Sequence, residues 1–103
     1  MRVLALEREI PGTPAEAFAP LLREEAARLW ELQQAGVVRD ASFRADRDEA
    51  VLLLECADLA EARAALGTLP LVRAGLIEFE LIPLRAYTGY ARLFRSASGG
   101  AAR

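Results

Sequence analysis

The sequence predicts a single α+β domain whose strands and helices follow one another in the order β-α-β-β-α-β, a split βαβ arrangement. The chain has 103 residues, which suits one domain and is too short for two ordinary ones. Two segments combine helix-start signals with apolar residues at helical spacing. Four short runs have the apolar or alternating character of strands. We expect the domain to span residues 1–95 and residues 96–103 to form a flexible tail.

Four strands are predicted from short runs bounded by turn residues. The third, Ala50 to Ala57, is almost entirely apolar, so we expect it to be central and buried on both faces. The other three are predicted at Val3 to Glu7, Val37 to Ala45 and Leu76 to Leu84.

The first helix is expected from Pro14 to about Ala35. Thr13 and Glu16 form a capping-box pattern at its start, and Gly36 suits its end. Pro20 conflicts with a continuous helix because proline has no backbone donor, and it predicts a kink or a broken first turn. Apolar residues at helical spacing predict the buried stripe as Phe18, Leu22, Ala26 and Leu29.

The second helix is predicted to follow Asp58, which forms another capping-box pattern with Glu61. Gly67 is expected to end it. The stripe that this helix buries is predicted as Leu59, Ala62 and Leu66.

Alternation along each strand assigns side chains to the two faces of the sheet. We expect the helices to cover an apolar face made of Leu4, Leu6, Leu52, Leu54, Cys56, Ile77, Phe79 and Leu81. The opposite face would then be mixed, with Val3, Glu7, Val38, Asp40, Ser42, Arg44, Val51, Leu53, Glu55, Glu78 and Glu80. Such a face is either half solvated, with ion pairs across the strands, or covered by a second subunit so that its polar groups line a cavity.

Composition excludes several kinds of chemistry. Histidine is absent and Cys56 is the one cysteine, which excludes Cys/His zinc sites, an intrachain disulfide and Ser-His-Asp or Cys-His catalysis. No glycine-rich phosphate loop is present. The thirteen basic residues, all arginine, are interleaved with acids and form no stripe for nucleic acid. We therefore expect no cofactor, no metal and no nucleic-acid partner.

Localisation is inferred from three features of the sequence. No apolar run approaches the roughly 20 residues of a membrane span. Glu7 comes too early for the apolar core of a signal peptide. A single cysteine fits a reducing compartment. The sequence therefore predicts a cytoplasmic protein without a membrane partner.

Two segments resemble the muconolactone isomerase family: Leu32-Gln33-Gln34-Ala35-Gly36, and Leu69-Pro70-Leu71-Val72 followed by Ile77-Glu78-Phe79. The resemblance runs from about Val3 to Leu84. It implies a ferredoxin-like subunit whose antiparallel sheet packs face to face with that of a second copy in a dimeric α+β barrel. It also implies a homodimer or a higher even oligomer. The family's histidine and its C-terminal His-Pro-Ser segment have no counterpart here, so the resemblance lies in the scaffold.

Carboxylate and arginine chemistry remains for a site. Glu78 and Glu80 lie two residues apart on one strand and hence on one face, where a carboxylate can move a proton beside a carbonyl group. Arg44, which would take the place of the family's arginine, could hold a substrate carboxylate, and Glu55 would line the same cavity. The predicted function is a cofactor-free proton-transfer isomerase for a small carboxylate or lactone. The alternative is a non-catalytic oligomeric module that binds a small ligand or acts as a scaffold, with these charges paired to one another.

An aromatic arm, Tyr87 to Phe94, follows the last strand. Without a local core, its aromatic side chains are expected to bury against a different chain. Trp30 is predicted to be a core or interface aromatic, and Cys56 a buried, inert thiol.

Overall fold

The computed structural model describes residues 1–95. Within them, a four-stranded sheet has the order β2-β3-β1-β4, and every neighbouring pair is antiparallel. This confirms the predicted ferredoxin-like βαββαβ arrangement. The predicted tail, residues 96–103, lies outside the described residues. The strands are β1 (Arg2–Glu9), β2 (Val38–Phe43), β3 (Ala50–Glu55) and β4 (Ile77–Leu84).

The first helical region is segmented, and its predicted start at Pro14 is wrong. Two 3-10 turns, Ala15–Ala17 and Ala19–Leu21, precede the helix α1 (Leu22–Gln34). Pro20 lies in the second turn, where its missing N–H interrupts the α-helical bonding that the capping pattern predicted. At the other end, Gly36 has a φ of 81° and closes the helix, as expected.

The second helix, α2 (Leu59–Leu66), has the predicted cap. Oδ1 of Asp58 accepts a hydrogen bond from the backbone N–H of Glu61 at 2.8 Å, and Oε2 of Glu61 accepts one from Ala57 N–H at 3.3 Å. A further single turn, α3 (Pro70–Arg73), follows and was not predicted. Its buried Leu71 anchors it to the rest of the chain.

The helices cover one face of the sheet, and part of the predicted face assignment is wrong. Val3 and Val38, expected on the uncovered face, are 0% and 1% exposed in the core. On β2 the cause is a β-bulge at Arg39, because Val38 pairs with Leu54 whereas Asp40 pairs with Leu53. The extra residue reverses the alternation there. On β1 the larger Leu4 and Leu6 point to the uncovered face, while the smaller Val3 and Ala5 lie under the helices.

The buried stripe of α1 also differs from the predicted one. Leu22 is 51% exposed and Ala26 is exposed, whereas Leu32 is 4% exposed. The inward face has the helical spacing of Glu25, Arg28, Leu29 and Leu32. No helix within residues 1–95 combines the length and the apolar character that crossing a bilayer requires.

Candidate functional site

The face of the sheet opposite the helices, here called the open face, has an aliphatic centre. Leu4 pairs with Leu53 on one side and with Ile82 on the other, and Leu6 pairs with Val51. All five side chains are only part-buried, whereas the helix side of β1 and β3 carries the buried residues Val3, Ala5, Leu52 and Leu54. A patch of this kind on a central strand and both its neighbours is typical of a surface that another molecule covers.

Three charged residues border this aliphatic patch at one end. Arg8 pairs in register with Glu78, and its guanidinium donates a hydrogen bond to Oε1 of Glu80. Glu80 in turn lies opposite Leu6. The hydrogen bond to Glu80, together with the nearby carboxylates, raises the pKa of Arg8 further, so Arg8 stays a cation. The sequence-predicted pair Glu78 and Glu80 is therefore brought together, with Arg8 as a third member that was not predicted.

Glu55 lies at the other end of the same face. It pairs in register with Arg2, and its Oε2 accepts a hydrogen bond from the Met1 ammonium group at 2.8 Å. This bond lowers the pKa of Glu55. Arg2 and Arg8 are six residues apart on β1, which corresponds to about 20 Å along a strand. One copy of the chain therefore does not bring Glu55 to Glu78 and Glu80.

Arg44 lies just beyond β2, in the turn that leads to β3. Its Nε and Nη2 donate hydrogen bonds to the two carboxylate oxygens of Asp46 at 2.9 and 2.7 Å. The Arg44 hydrogen bonds lower the pKa of Asp46. Because β2 and β4 are opposite edges of the sheet, three strand spacings separate Arg44 from Glu78, or about 14 Å. Arg44 is thus also distant from the glutamate pair within one copy.

Two half-buried glutamates lie on the helix side of the sheet, where the sequence did not predict them. Oε1 of Glu7 accepts a hydrogen bond from Ala50 N–H at 3.3 Å, and Oε1 of Glu25 accepts one from Leu71 N–H at 2.9 Å. Burial raises the pKa of both carboxyls, and repulsion from neighbouring carboxylates adds to the effect at Glu7. The expected position of Glu7 on the open face is wrong, because Glu7 has the same alternation as Val3 and Ala5.

The predictions made for Cys56 and Trp30 differ in their outcome. Cys56 is 4% exposed and burial raises the pKa of its thiol, so the prediction of a buried thiol is confirmed. Trp30 is 59% exposed, which places it outside the core of one copy. Among residues 1–95, no group of three or more potential metal-ligating side chains is found.

Comparisons with known proteins place this geometry in a known fold. No family model matches the sequence, and no similar sequence is found among curated proteins. Muconolactone isomerase has a similar structure, with a TM-score of 0.68 and 18% identity over the whole of both chains. So does 5-chloro-2-hydroxyhydroquinone dehydrochlorinase (TftG) from Burkholderia phenoliruptrix AC1100, in complex with 2,5-dihydroxybenzoquinone. Its TM-score is 0.65, its identity 17%, and the match covers 82% of this chain and 94% of that one.

These similarities define first a class of fold, the ferredoxin-like α+β subunit with a four-stranded antiparallel sheet. More particularly, the chain has the fold of muconolactone isomerase, which confirms the resemblance seen in the sequence at the level of the fold.

Proposed function

We propose that the chain is a homo-oligomeric, cofactor-free isomerase that moves a proton on a small carboxylate or lactone. The observation that carries this proposal is the Glu78–Arg8–Glu80 cluster at the border of the part-exposed aliphatic patch. A carboxylate base beside a fixed cation is suited to removing a proton next to a carbonyl group. The muconolactone isomerase and dehydrochlorinase folds support the same class of small cyclic substrate.

A second copy of the chain would complete the site by covering the open face. The five aliphatic side chains there would gain about 25 cal/mol for each Å² of apolar surface that leaves water. Covering them would also exclude water from the Arg8 cluster, which strengthens each electrostatic interaction within it. Arg44 and Glu55, too distant from the glutamates in one copy, would then take part as substrate-binding residues only from the facing sheet.

The proposed reaction conserves all atoms. The carboxylate of Glu80 removes a proton from the carbon beside the carbonyl group, and the electron pair moves onto the carbonyl oxygen. Arg8 stabilises the resulting oxyanion, which shares the guanidinium with Glu80. The electron pair then returns through the shifted double bond, and Glu80 delivers the proton that it took up to the other end of the conjugated system. The product is an isomer of the substrate.

The test is proton exchange followed by NMR in D2O, with muconolactone and a panel of small unsaturated lactones as substrates. We expect deuterium incorporation and double-bond migration with the unmodified chain. Glu80→Gln and Arg8→Gln should each lower the rate by about 10²- to 10⁴-fold, the usual contribution of an acid–base group. Glu24→Gln, at an exposed position of α1, is the matched control and should leave the rate unchanged.

One observation favours the alternative, a non-catalytic ligand-binding or scaffold module. Four of the five charged groups named for the site already have a partner within their own copy: Arg8 and Glu80 with each other, Arg44 with Asp46, and Glu55 with the Met1 ammonium. If the unmodified chain exchanges no proton of any lactone in the panel, the module is the better description. Binding without turnover would then be measured by thermal shift with the same compounds.

A further inference from the structure

The aromatic arm and its flanking residues form the segment 85–95, and this longer segment is called the arm below. After β4 it forms a 3-10 helix, Thr88–Leu93, in which the rings of Tyr87 and Tyr90 meet edge to face with centroids 4.8 Å apart. The arm thus has a defined shape. Its apolar side chains are nevertheless exposed, by 61%, 67%, 75% and 86% for Tyr87, Tyr90, Leu93 and Phe94.

Residues 1–95 have an elongated shape. The described residues extend 59 Å in one direction but only 28 and 23 Å in the other two. Their radius of gyration is 17.3 Å, against about 13 Å for a compact domain of 100 residues. An ordinary protein surface exposes single, scattered apolar residues, whereas this segment exposes several aromatic rings together.

A cleft of matching size lies between α1 and the β2–β3 pair. It has a volume of about 130 Å³ and is lined by Leu29, Ala41, Ser42, Phe43, Ala50 and Leu52. A cavity of roughly 150 Å³ with a similar aliphatic and aromatic lining accommodates one benzene ring. Phe43, 72% exposed, and Trp30, 59% exposed, add apolar surface on the two elements that flank the cleft. The cleft can therefore receive one aromatic ring and hold it against further apolar surface.

The arm and this cleft are at diagonally opposite corners of the sheet. The arm leaves β4 after Leu84, which pairs with Arg2, and Arg2 pairs with Glu55 at one end of β3. The cleft lies at the other end of β3, where Ala50 pairs with Phe43 of the far edge strand. The width and the length of the sheet thus separate the arm from the cleft of its own copy.

Charge favours the same pairing. The arm contains three arginines and no acid. The segment from Leu22 to Ala50, which contains most of the cleft, has seven acidic residues against five arginines, a net charge of −2. Opposite charges on two surfaces steer their association and suppress wrong partners.

We propose that the arm of one copy docks in the α1–β2 cleft of a second copy, with Phe94 inserted between Leu29 and Phe43. The contact is heterologous, because the arm and the cleft are different surfaces, and it is separate from the sheet-to-sheet contact in the proposed dimer. Each copy then offers one arm and one cleft. Copies linked in this way either close into a ring or continue as a chain, depending on the rotation between neighbours.

The test is sedimentation of the full chain at micromolar concentration, with variants on each side of the contact. Tyr90→Ser/Phe94→Ser removes apolar surface from the arm, and Phe43→Asp places a charge at the mouth of the cleft. Both sites are highly exposed in one copy, so folding should be retained, as circular dichroism will check. Each variant should lose the same association step, with affinity about tenfold weaker or worse. Leu22→Ser, also on an exposed apolar residue and about 10 Å along α1 from Leu29, should leave the assembly unchanged.

A mixing experiment gives the sharper result. The arm variant retains its cleft and the cleft variant retains its arm, so an equimolar mixture should form the arm-to-cleft contact that neither variant forms alone. In the arm variant, loss of the arm contact alone would leave the sheet-to-sheet dimer, whereas monomers would show that the sheet-to-sheet dimer does not form either. The inference is overturned if the arm variant keeps the mass of the unmodified assembly, or if the mixture fails to form the arm-to-cleft contact.

Discussion

Glu25 of α1 accepts a hydrogen bond at 2.9 Å from the backbone N–H of Leu71, the second residue of α3. This contact joins two helical elements 46 residues apart in the chain through a half-buried carboxyl group. An unpaired N–H at the first turn of α3 would cost free energy if it were buried, and Glu25 removes that cost. Burial of the same carboxyl group raises its pKa, which makes the stability of the helix layer sensitive to pH.

The first prediction is that stability falls as pH rises through the mildly acidic range. Burial raises the pKa of Glu7 and Glu25 above the ordinary value of 4.5 in the folded chain only. The folded state then holds protons that the unfolded state has released, so the free energy of unfolding decreases from about pH 5 to pH 7. Urea unfolding at these two pH values measures the difference.

Substitution separates this effect from other titrations. Glu25→Gln keeps an oxygen that can accept the Leu71 N–H but cannot ionise, so the decrease between pH 5 and 7 should be smaller than in the unmodified chain. Glu24→Gln, on the exposed side of the same helix, should not change the decrease. Asp46, Glu49 and Glu55 have lowered pKa values, so they stabilise the folded chain when they are ionised. That stabilisation is lost only as the pH falls below the range from pH 5 to 7. An equal pH dependence in the Glu25→Gln and Glu24→Gln variants would contradict the prediction.

The second prediction compares two adjacent leucines of β3. Leu54 is 0% exposed in the core, so Leu54→Ala should lower the free energy of unfolding by about 2–5 kcal/mol. Leu53 is part-exposed at the centre of the open face, so Leu53→Ala should cost each folded subunit less. It should instead weaken self-association if a second copy covers that face. Denaturant melts and sedimentation of both variants decide between these outcomes, and equal losses of subunit stability would count against the face assignment.

The third prediction concerns the internal order of the arm. A Cβ on Gly89 would overlap the ring of Tyr87. Gly89→Ala should therefore displace that ring and remove its edge-to-face contact with Tyr90, which lowers the near-ultraviolet circular dichroism of the tyrosines. Ala86→Ser, at an exposed arm position, is the control. The urea midpoint should not move in either variant, because the buried core cluster contains no arm residue. An unaltered tyrosine signal in Gly89→Ala would show that the contact between the two rings does not determine the structure of the arm.

The fourth prediction tests the cap of α2. Asp58→Ala removes the acceptor for the Glu61 N–H and should cost about 1 kcal/mol of stability. Asp58→Asn retains an acceptor oxygen and should cost much less. Guanidinium melts of the two variants measure the difference, and similar losses would mean that the side-chain cap contributes little.

The sequence predicted the elements that depend on local signals. Asp58 and Glu61 capped the second helix as expected, and Gly36 ended the first. Pro20 indicated the broken start, but two 3-10 turns in place of a kinked helix depend on packing that local pattern does not contain. The single turn of α3 is too short for a helical repeat to reveal it.

Face assignment was less predictable, and so was the site. Both alternating sets of β1 are apolar, so period alone could not choose between Leu4 and Val3 for the core. On β2, the bulge at Arg39 reversed the alternation of side chains between the two faces, and no glycine in the strand indicated a bulge. Arg8 was not predicted as a site residue because it lies on the same face of β1 as Leu4 and Leu6, which were assigned to the helix side. Glu78 and Glu80 were placed together correctly because β4 alternates clearly between apolar and acidic residues.

The two edge strands limit how copies of this chain can aggregate. Pro83 of β4 pairs with Val3, and because proline has no N–H it donates no hydrogen bond to a strand added along the outer edge. The bulge of β2 bends the other edge, and Arg39 and Asp40 place charges there. Strand addition, the route to cross-β fibres, is therefore hindered at both borders of the sheet. A mutation that restored a regular edge, such as Pro83→Val, would be expected to increase the tendency to form amyloid-like fibrils.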